Sequence, residues 1–292
     1  MATGNEIREF LTSRRAKITP DQVGLSAHGT RRRVPGLRRE EVASLAGVSI
    51  EYYAQLERGT ARGVSDEVLD AVADALRLDD AERTHLFDLV RAANTVRAAR
   101  RRRTPAVVRS SVQRALDTIG APALVRNGRL DVLAANQLGR AFYAPIFDSP
   151  AGPPNIARFA FLDPSGADFF TDWDDGLNDC VAVLRAEAGR NPYDRDLSDL
   201  IGELSTRSDE FRVRWASHNV KLHRRGVKRI RHPIVGDVTI DMEVFELPAD
   251  PGQTLVIYAP EPDSPSEQAL ALLASWAATP HPVTPEDADD RR

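Results

Sequence analysis

The chain of 292 residues, with 42% hydrophobic and 28% charged side chains, has enough apolar material for two cores and too much for an intrinsically disordered protein. Its single cysteine, Cys180, excludes an internal disulfide and a multi-cysteine zinc site. No apolar run reaches the roughly 18 residues of a membrane span, and the opening MATGNEIREF lacks a signal-peptide core, so a cytoplasmic, membrane-free protein is expected. The net charge of -4 is unevenly divided: the first 104 residues carry 19 Lys and Arg against 15 Asp and Glu, the remainder 20 against 28. The arginines of the basic part cluster in TRRRVPGLRRE and VRAARRRRTP, which suits a polyanion, although such runs also serve as solvated surface or linker.

Ile7, Phe10 and Leu11 fall at helical spacing within residues 5–15, and a glycine- and arginine-rich loop follows to about Gly36. A helix over 38–46 precedes Gly47, after which the helical pattern resumes at once. Ser65 is placed to cap a helix whose Val68, Leu69, Val72, Ala75 and Leu76 share one face. Asp79 or Asp80 caps the next, which carries Leu86, Phe87, Leu89 and Val90. Residues 1–95 are thus expected to form an all-α domain of five helices. Residues 96–105, including the run Arg97 to Thr104, read as an arginine-rich linker, or a charged helix extension, joined directly to the amphipathic VVRSSVQRALDTIG.

From 106 to 278 the pattern changes. APALVRNGRLDVLAAN places two short apolar runs around Asn127-Gly128, a hairpin signal. A helical block from Gln137 to about Trp215 is broken by prolines at 145, 150, 153, 154, 164 and 192. VKRIRHPIV, DVTIDMEVFEL and QTLVIYAP then read as strands separated by Gly236 and by Asp250-Pro251-Gly252, and a helix from Ser266 to Ala277 closes the domain. That order predicts a small antiparallel sheet with helices packed on one face. The fold class is α + α/β: the five-helix domain, then an α+β domain. Residues 279–292 lack periodicity and are expected to be disordered.

Around Gly47 the pattern is specific. In RREEVASLAGVSIEYYAQLERG, Val42, Ala46, Val48, Tyr53 and Leu56 point inward, Ala43 leaves room for a second helix, and Gly47 supplies the positive φ of a sharp bend. Ser49 caps the second helix near Tyr52. Together these define a helix-turn-helix whose second helix can enter a major groove. With Ser49 at its start, that helix turns Ile50, Glu51, Tyr52 and Gln55 outward. Gln55 suits adenine, Glu51 cytosine, and Ile50 or Tyr52 a thymine methyl, while Tyr52 also fits a core position. Arg38, Arg39 and Arg58 suit phosphates. One such helix reads only a few base pairs, so a homodimer on a palindromic double-stranded operator is expected.

Residues 1–95, through LAGVSIEYYAQLERG, resemble the XRE-type helix-turn-helix regulators. GAPALVRNGRLDVLAANQLGRAFYAP, RAEAGRNPYDRDLSDLIGELSTRSDEFRVRWASHNV and HPIVGDVTI resemble the MmyB-like subset, and the resemblance runs to about residue 278. It implies a transcription factor whose second domain is PAS-like and binds a small molecule, including fatty-acid-like ligands.

In the second domain His218, His223, His232 and His281 show no metal-ligand spacing, and Asp172 to Asp175 sit where acids complement a helix start. The chain has no GxSxG, GxxxxGK[ST] or GxGxxG. No catalysis and no cofactor are expected. The aromatic residues Phe142, Tyr143, Phe147, Phe159, Phe161, Phe169, Phe170 and Trp173, then Phe211 and Trp215, either line an apolar pocket or fill a solid core. Read as a pocket, they make Arg214, His218 and Asn219 candidates for a ligand head group. The expected function is a ligand-responsive, sequence-specific DNA-binding regulator. The alternative is an antitoxin-like or scaffold protein whose larger domain binds another polypeptide.

Overall fold

The computed structural model describes residues 2–25, 36–61, 63–94, 107–217 and 225–279. The arginine-rich run Arg97 to Arg103 and the tail from residue 280 lie outside the described residues. The described helices begin with α1 (Ala2–Lys17), a 3-10 turn (Pro20–Val23), α2 (Arg39–Leu45), α3 (Ile50–Glu57), α4 (Asp66–Ala75) and α5 (Asp80–Asn94). There follow α6 (Ser110–Asp117), strands β1 (Ala123–Asn127) and β2 (Val132–Ala135), and short helices α7 (Gln137–Phe142), α8 (Ala144–Phe147), α9 (Ile156–Leu162) and α10 (Ser165–Phe169). The chain continues through α11 (Trp173–Arg190), α12 (Arg195–Arg207), α13 (Asp209–Ala216), β3 (Arg225–His232), β4 (Gly236–Glu246), β5 (Gln253–Ala259) and α14 (Pro265–Ala278). None of the described helices is long and apolar enough to cross a membrane.

Two compact units emerge from the packing: residues 1–104 with 177–222, and residues 105–176 with 223–292. This differs from the division at 95 and 106 drawn from the sequence, because α11 from Leu177 onward, α12 and α13 group with the N-terminal helices. In this first unit Phe10, Leu11, Val42, Tyr53, Leu56, Leu69, Val72, Leu86 and Leu89 form one buried core, which Ala186 of α11 joins. Gly189 explains how closely α11 can approach: a Cβ there would stand 2.7 Å from both Cε1 and Nδ1 of His85 on α5. One turn earlier Arg185 lies 4.1 Å over the Trp215 ring and donates to the Trp215 carbonyl. Burial lowers its pKa to about 10, against the opposing field of Glu6 and Glu9 on α1.

Helix starts follow the sequence signals. Ser65 Oγ accepts the Val68 amide at 3.4 Å, and Asp79 and Glu82 cap reciprocally, Asp79 Oδ1 accepting the Glu82 amide at 2.8 Å and Glu82 Oε2 the Asp79 amide at 3.2 Å. Between α2 and α3 the chain stops helically and restarts. Gly47 takes φ of 64°, its amide donates to the Ser44 carbonyl at 3.2 Å, and the Val48 amide donates to the Ala43 carbonyl at 3.0 Å. This is a Schellman ending, which satisfies carbonyls that the helix leaves open.

The second unit is built on a five-stranded antiparallel sheet in the order β2-β1-β5-β4-β3. The first hairpin forms at Asn127-Gly128, where Asn127 Oδ1 accepts the amides of Arg129 at 2.9 Å and Asp131 at 3.0 Å, and Leu130 takes φ of 66°. Register puts Leu124, Val256, Tyr258, Met242, Ile240 and Val238 on one face, with α7 and α14 packed against that sheet. The order of elements predicts helices on one face, but the structure has them on both. Leu116 of α6 packs with Ala123, Val125 and Ala134, against Leu255 and Ile257, on the opposite face of β1, β2 and β5. The amphipathic segment that follows the linker therefore covers sheet, and Arg109 at its start is tied to Asp250 in the β4–β5 turn at 2.7 Å. The acidic Asp172–Asp175 run behaves as a helix start: Asp174 and Asp175 occupy the first turn of α11, and Asp172 pairs with Arg229 at 2.8 Å.

His232, at the end of β3, is 1% exposed. Its Nε2 lies 3.0 Å from the Ala141 carbonyl and its Nδ1 accepts the Ile234 amide at 3.2 Å, an arrangement that requires the neutral ring. Burial accordingly lowers its pKa from the ordinary value near 6.5, outweighing the opposing effect of the Ala141 contact.

Two outcomes follow from these features. Replacing Gly47 with Val lowers the stability of the full chain by at least about 1 kcal/mol, because a β-branched residue resists positive φ; thermal unfolding reads this, and an unchanged midpoint would remove the turn from the account. For His232 the folded pKa is depressed, so the unfolded chain binds more protons and stability falls as pH drops below about 6.5. A pH series of melting curves should show that loss, and the loss should shrink in His232→Gln; an identical slope in the variant would assign it to other groups.

Candidate functional site

In the helix-turn-helix the inward residues are where helical phase places them: Val42, Ala43 and Tyr53 are 0% exposed, Leu56 1% and Ala46 8%. Val48 packs partly buried against the same core. Ser49 Oγ accepts the Tyr52 amide at 3.1 Å and so starts α3 cleanly. On the outward side Ile50 is half exposed, Glu51 and Gln55 are exposed, and Tyr52 is intermediate between the two faces. The structure thus brings Ile50, Glu51, Tyr52 and Gln55 onto one short helix whose opposite face is locked into a core.

The three arginines assigned to phosphates differ. Arg58, after the end of α3, is exposed and forms no ion pair among the described residues. Arg38 caps α2 through its backbone, its amide donating to Glu41 Oε2 at 2.6 Å, and its guanidinium lies 3.3 Å from Glu40. Arg39 keeps 53% of its side chain exposed, yet its Nε donates to Glu57, which raises its pKa.

Glu57 is the residue that the sequence reading missed. Its side chain is 1% exposed at the last position of α3. It accepts Arg15 Nη2 at 2.9 Å, Arg15 Nε at 3.1 Å and Thr12 Oγ1 at 3.2 Å in addition to Arg39. Arg15 Nη1 also donates to the Leu37 carbonyl at 2.8 Å, so one carboxylate draws α1, the entry to α2 and the end of α3 together. A signal existed: an acid at a helix C-terminus opposes the helix dipole and needs a cation nearby.

In the second unit Phe142, Tyr143, Phe159, Phe169 and Phe170 form a continuous set of rings. Phe142 meets Tyr143 at 5.0 Å, Tyr143 meets Phe169 at 6.0 Å, and Phe169 meets Phe159 at 5.6 Å and Phe170 at 5.1 Å. Tyr258 of β5 and His232 of β3 join it from the sheet, at 5.7 Å and 6.3 Å from Phe142. Neither was singled out as a ring of this set, although the alternation of Val256 and Tyr258 in β5 carried the information. Phe142, Tyr143, Phe159 and Phe169 are buried, whereas Phe161, Phe170 and Trp173 are half-buried. Arg214 and Trp215 belong to the first unit. There Arg214 pairs with Glu210 at 2.5 Å and donates to Asn178 Oδ1 at 2.8 Å, and Trp215 stacks on Phe211 at 5.5 Å. His218 and Asn219 lie outside the described residues.

Comparison with known proteins agrees with this arrangement. A helix-turn-helix domain model matches residues 12–86. A model of the MmyB-like transcription regulator ligand binding domain matches residues 108–273. No curated protein matches the chain. A locked helix-turn-helix followed by a ligand-binding domain that spans more than half the sequence is the architecture of a DNA-binding regulator, and the chain belongs to the MmyB-like transcription regulators.

Proposed function

We propose that the chain is a cytoplasmic, homodimeric, sequence-specific regulator of the XRE type, whose PAS-like second domain senses a small apolar or fatty-acid-like ligand without a metal or organic cofactor. The carrying observation is the division of α3 into a buried face, Tyr53 and Leu56, and an exposed one, Ile50, Glu51 and Gln55. A helix anchored on one side and polar on the other is what a major groove admits. Gln55 reads adenine and Glu51 cytosine, Ile50 and the exposed part of Tyr52 pack on thymine methyls, and Arg38, Arg39 and Arg58 neutralise phosphates.

For the ligand, support comes from the ring set around Phe142, Tyr143, Phe159 and Phe169. Phe170 is the member of this set that keeps some exposure, and an apolar chain reaches it without prying apart buried rings; Phe161 and Trp173 are likewise half-buried. Coupling is supported by the packing of α11, which lies within the ligand-domain match and also contributes Ala186 to the core that holds the helix-turn-helix. A ligand changes DNA affinity only by binding one arrangement of the protein better than another, and operator DNA then changes ligand affinity by the same factor.

On an operator selected from random duplexes, Gln55→Ala and Glu51→Ala each weaken binding by about 1 to 3 kcal/mol, while binding to unrelated duplex is unchanged in Gln55→Ala and no weaker in Glu51→Ala, which removes an acid. Equal loss on both DNAs would reassign the two residues to structural or nonspecific roles. In the second test, palmitate is titrated into the full chain with and without saturating operator, and the two dissociation constants differ. Equal constants would remove the coupling, and absence of palmitate binding would remove the ligand class.

A further inference from the structure

An acid at the last residue of the recognition helix is a poor choice on local grounds. It opposes the helix dipole, it adds negative charge close to a surface that meets polyanionic DNA, and burial of its carboxylate costs several kcal/mol unless cations approach. Glu57 nevertheless occupies that position with 1% of its side chain exposed. Its two cationic partners are unequal. The Arg15 side chain is 15% exposed, is held by two bonds to Glu57, and has a third bond to the Leu37 carbonyl, so it is committed to the fold. Arg39 uses its Nε on Glu57 and keeps 53% of its side chain in solvent. A guanidinium has five donors in a rigid fork, so fixing Nε leaves both terminal nitrogens for a second acceptor while the plane of the fork is held.

We propose that Glu57 is a positioning residue for DNA binding: it holds the Arg39 guanidinium at the start of α2 so that its remaining donors meet a backbone phosphate in a fixed orientation. The helix before the recognition helix crosses the DNA backbone in this motif, which is where a pre-oriented fork is useful. A bidentate phosphate contact from a preformed fork loses less side-chain freedom on binding than one from a free arginine. Arg15 supplies the charge that keeps the Arg15–Glu57–Arg39 group net positive, so the buried carboxylate does not repel the phosphate that Arg39 takes. This role rests on the DNA-binding reading, but charge alone predicts the opposite sign for its test: removing an acid near DNA strengthens nonspecific binding, whereas releasing Arg39 weakens it.

The experiment measures binding of the full chain to a mixed-sequence 30-base-pair duplex (roughly three helical turns) across a salt series, for wild type, Glu57→Gln, Arg39→Ala and the double variant, with melting temperatures recorded alongside. Arg39→Ala should weaken binding and reduce the log-log salt slope by about 0.9, the signature of one lost phosphate contact. Glu57→Gln should weaken binding by about three- to tenfold more in the wild-type background than once Arg39 is alanine, since that excess acts through the Arg39 side chain. Stronger binding by Glu57→Gln, or the same loss in both backgrounds, overturns the proposal. If Glu57→Gln does not fold, Arg39→Lys decides: a point charge without the fork should keep the salt slope and still lose affinity, and wild-type affinity in that variant overturns the proposal. A wild-type chain that binds no duplex overturns the DNA-binding reading instead, and with it the basis of this role.

Discussion

One buried carboxylate holds the first three helices in register. Glu57 ends α3, and through Arg15 it reaches α1 and the Leu37 carbonyl at the entry to α2, while through Arg39 it reaches the first residue of α2. The Schellman ending at Gly47 sets the bend between α2 and α3, but a bend alone leaves two short helices free to splay at their far ends. The ion group closes that far end, and the apolar contacts of Val42, Ala43, Tyr53 and Leu56 fill the space between. The outward face of α3 is therefore aimed by a constraint outside the turn itself. The desolvation of the carboxylate offsets much of its attraction to the two guanidinium groups, so the ion group adds little net stability for the contacts it makes.

What could be read from the sequence was local. Gly47, Ser49 and the phase of Val42, Tyr53 and Leu56 lie within one short window, and each has a direct backbone consequence. The same holds for the hairpin at Asn127-Gly128, for the caps at Ser65 and Asp79, and for the three strands after residue 225. What stayed hidden depends on distant partners. Glu57 meets Arg15 across 42 positions and Arg39 across 18, and nothing in the periodicity of either helix announces the pairing. The assignment of Arg39 to phosphate from charge alone was blind to the carboxylate that holds it. Likewise the ring set was visible as a dense run of aromatics from Phe142 to Phe170, but the sheet residues that complete it, Tyr258 and His232, come from strands far along the chain.

Within the second unit the two faces of the sheet are treated differently. At β1, β2 and β5 one side receives the aliphatic cover of α6, while the register-matched residues Val256, Tyr258 and Met242 share the side that carries the aromatic rings. The aliphatic side packs small residues, Ala123 and Ala134, under one amphipathic helix. The ring-bearing side also carries polar groups: two tyrosine hydroxyls and the neutral imidazole of His232, whose tautomer is fixed by a carbonyl on one nitrogen and an amide on the other.

The glycine at 189 has a consequence for ancestry. Its hydrogen lies where any side chain would meet the His85 ring, and those two residues belong to stretches matched by different family models, residues 12–86 and 108–273. Domains joined only by a tether can be exchanged freely between relatives, each half keeping its own core. Here the partner of a histidine in the DNA-binding stretch is inherited with the ligand-binding stretch. A recombination near residue 95 would unite an α5 and an α11 that were never selected against each other, and beside His85 only donors with glycine at position 189 would give a compact hybrid. The two halves of this regulator are for that reason expected to descend as a matched pair, with substitutions at His85 and Gly189 constrained by one another.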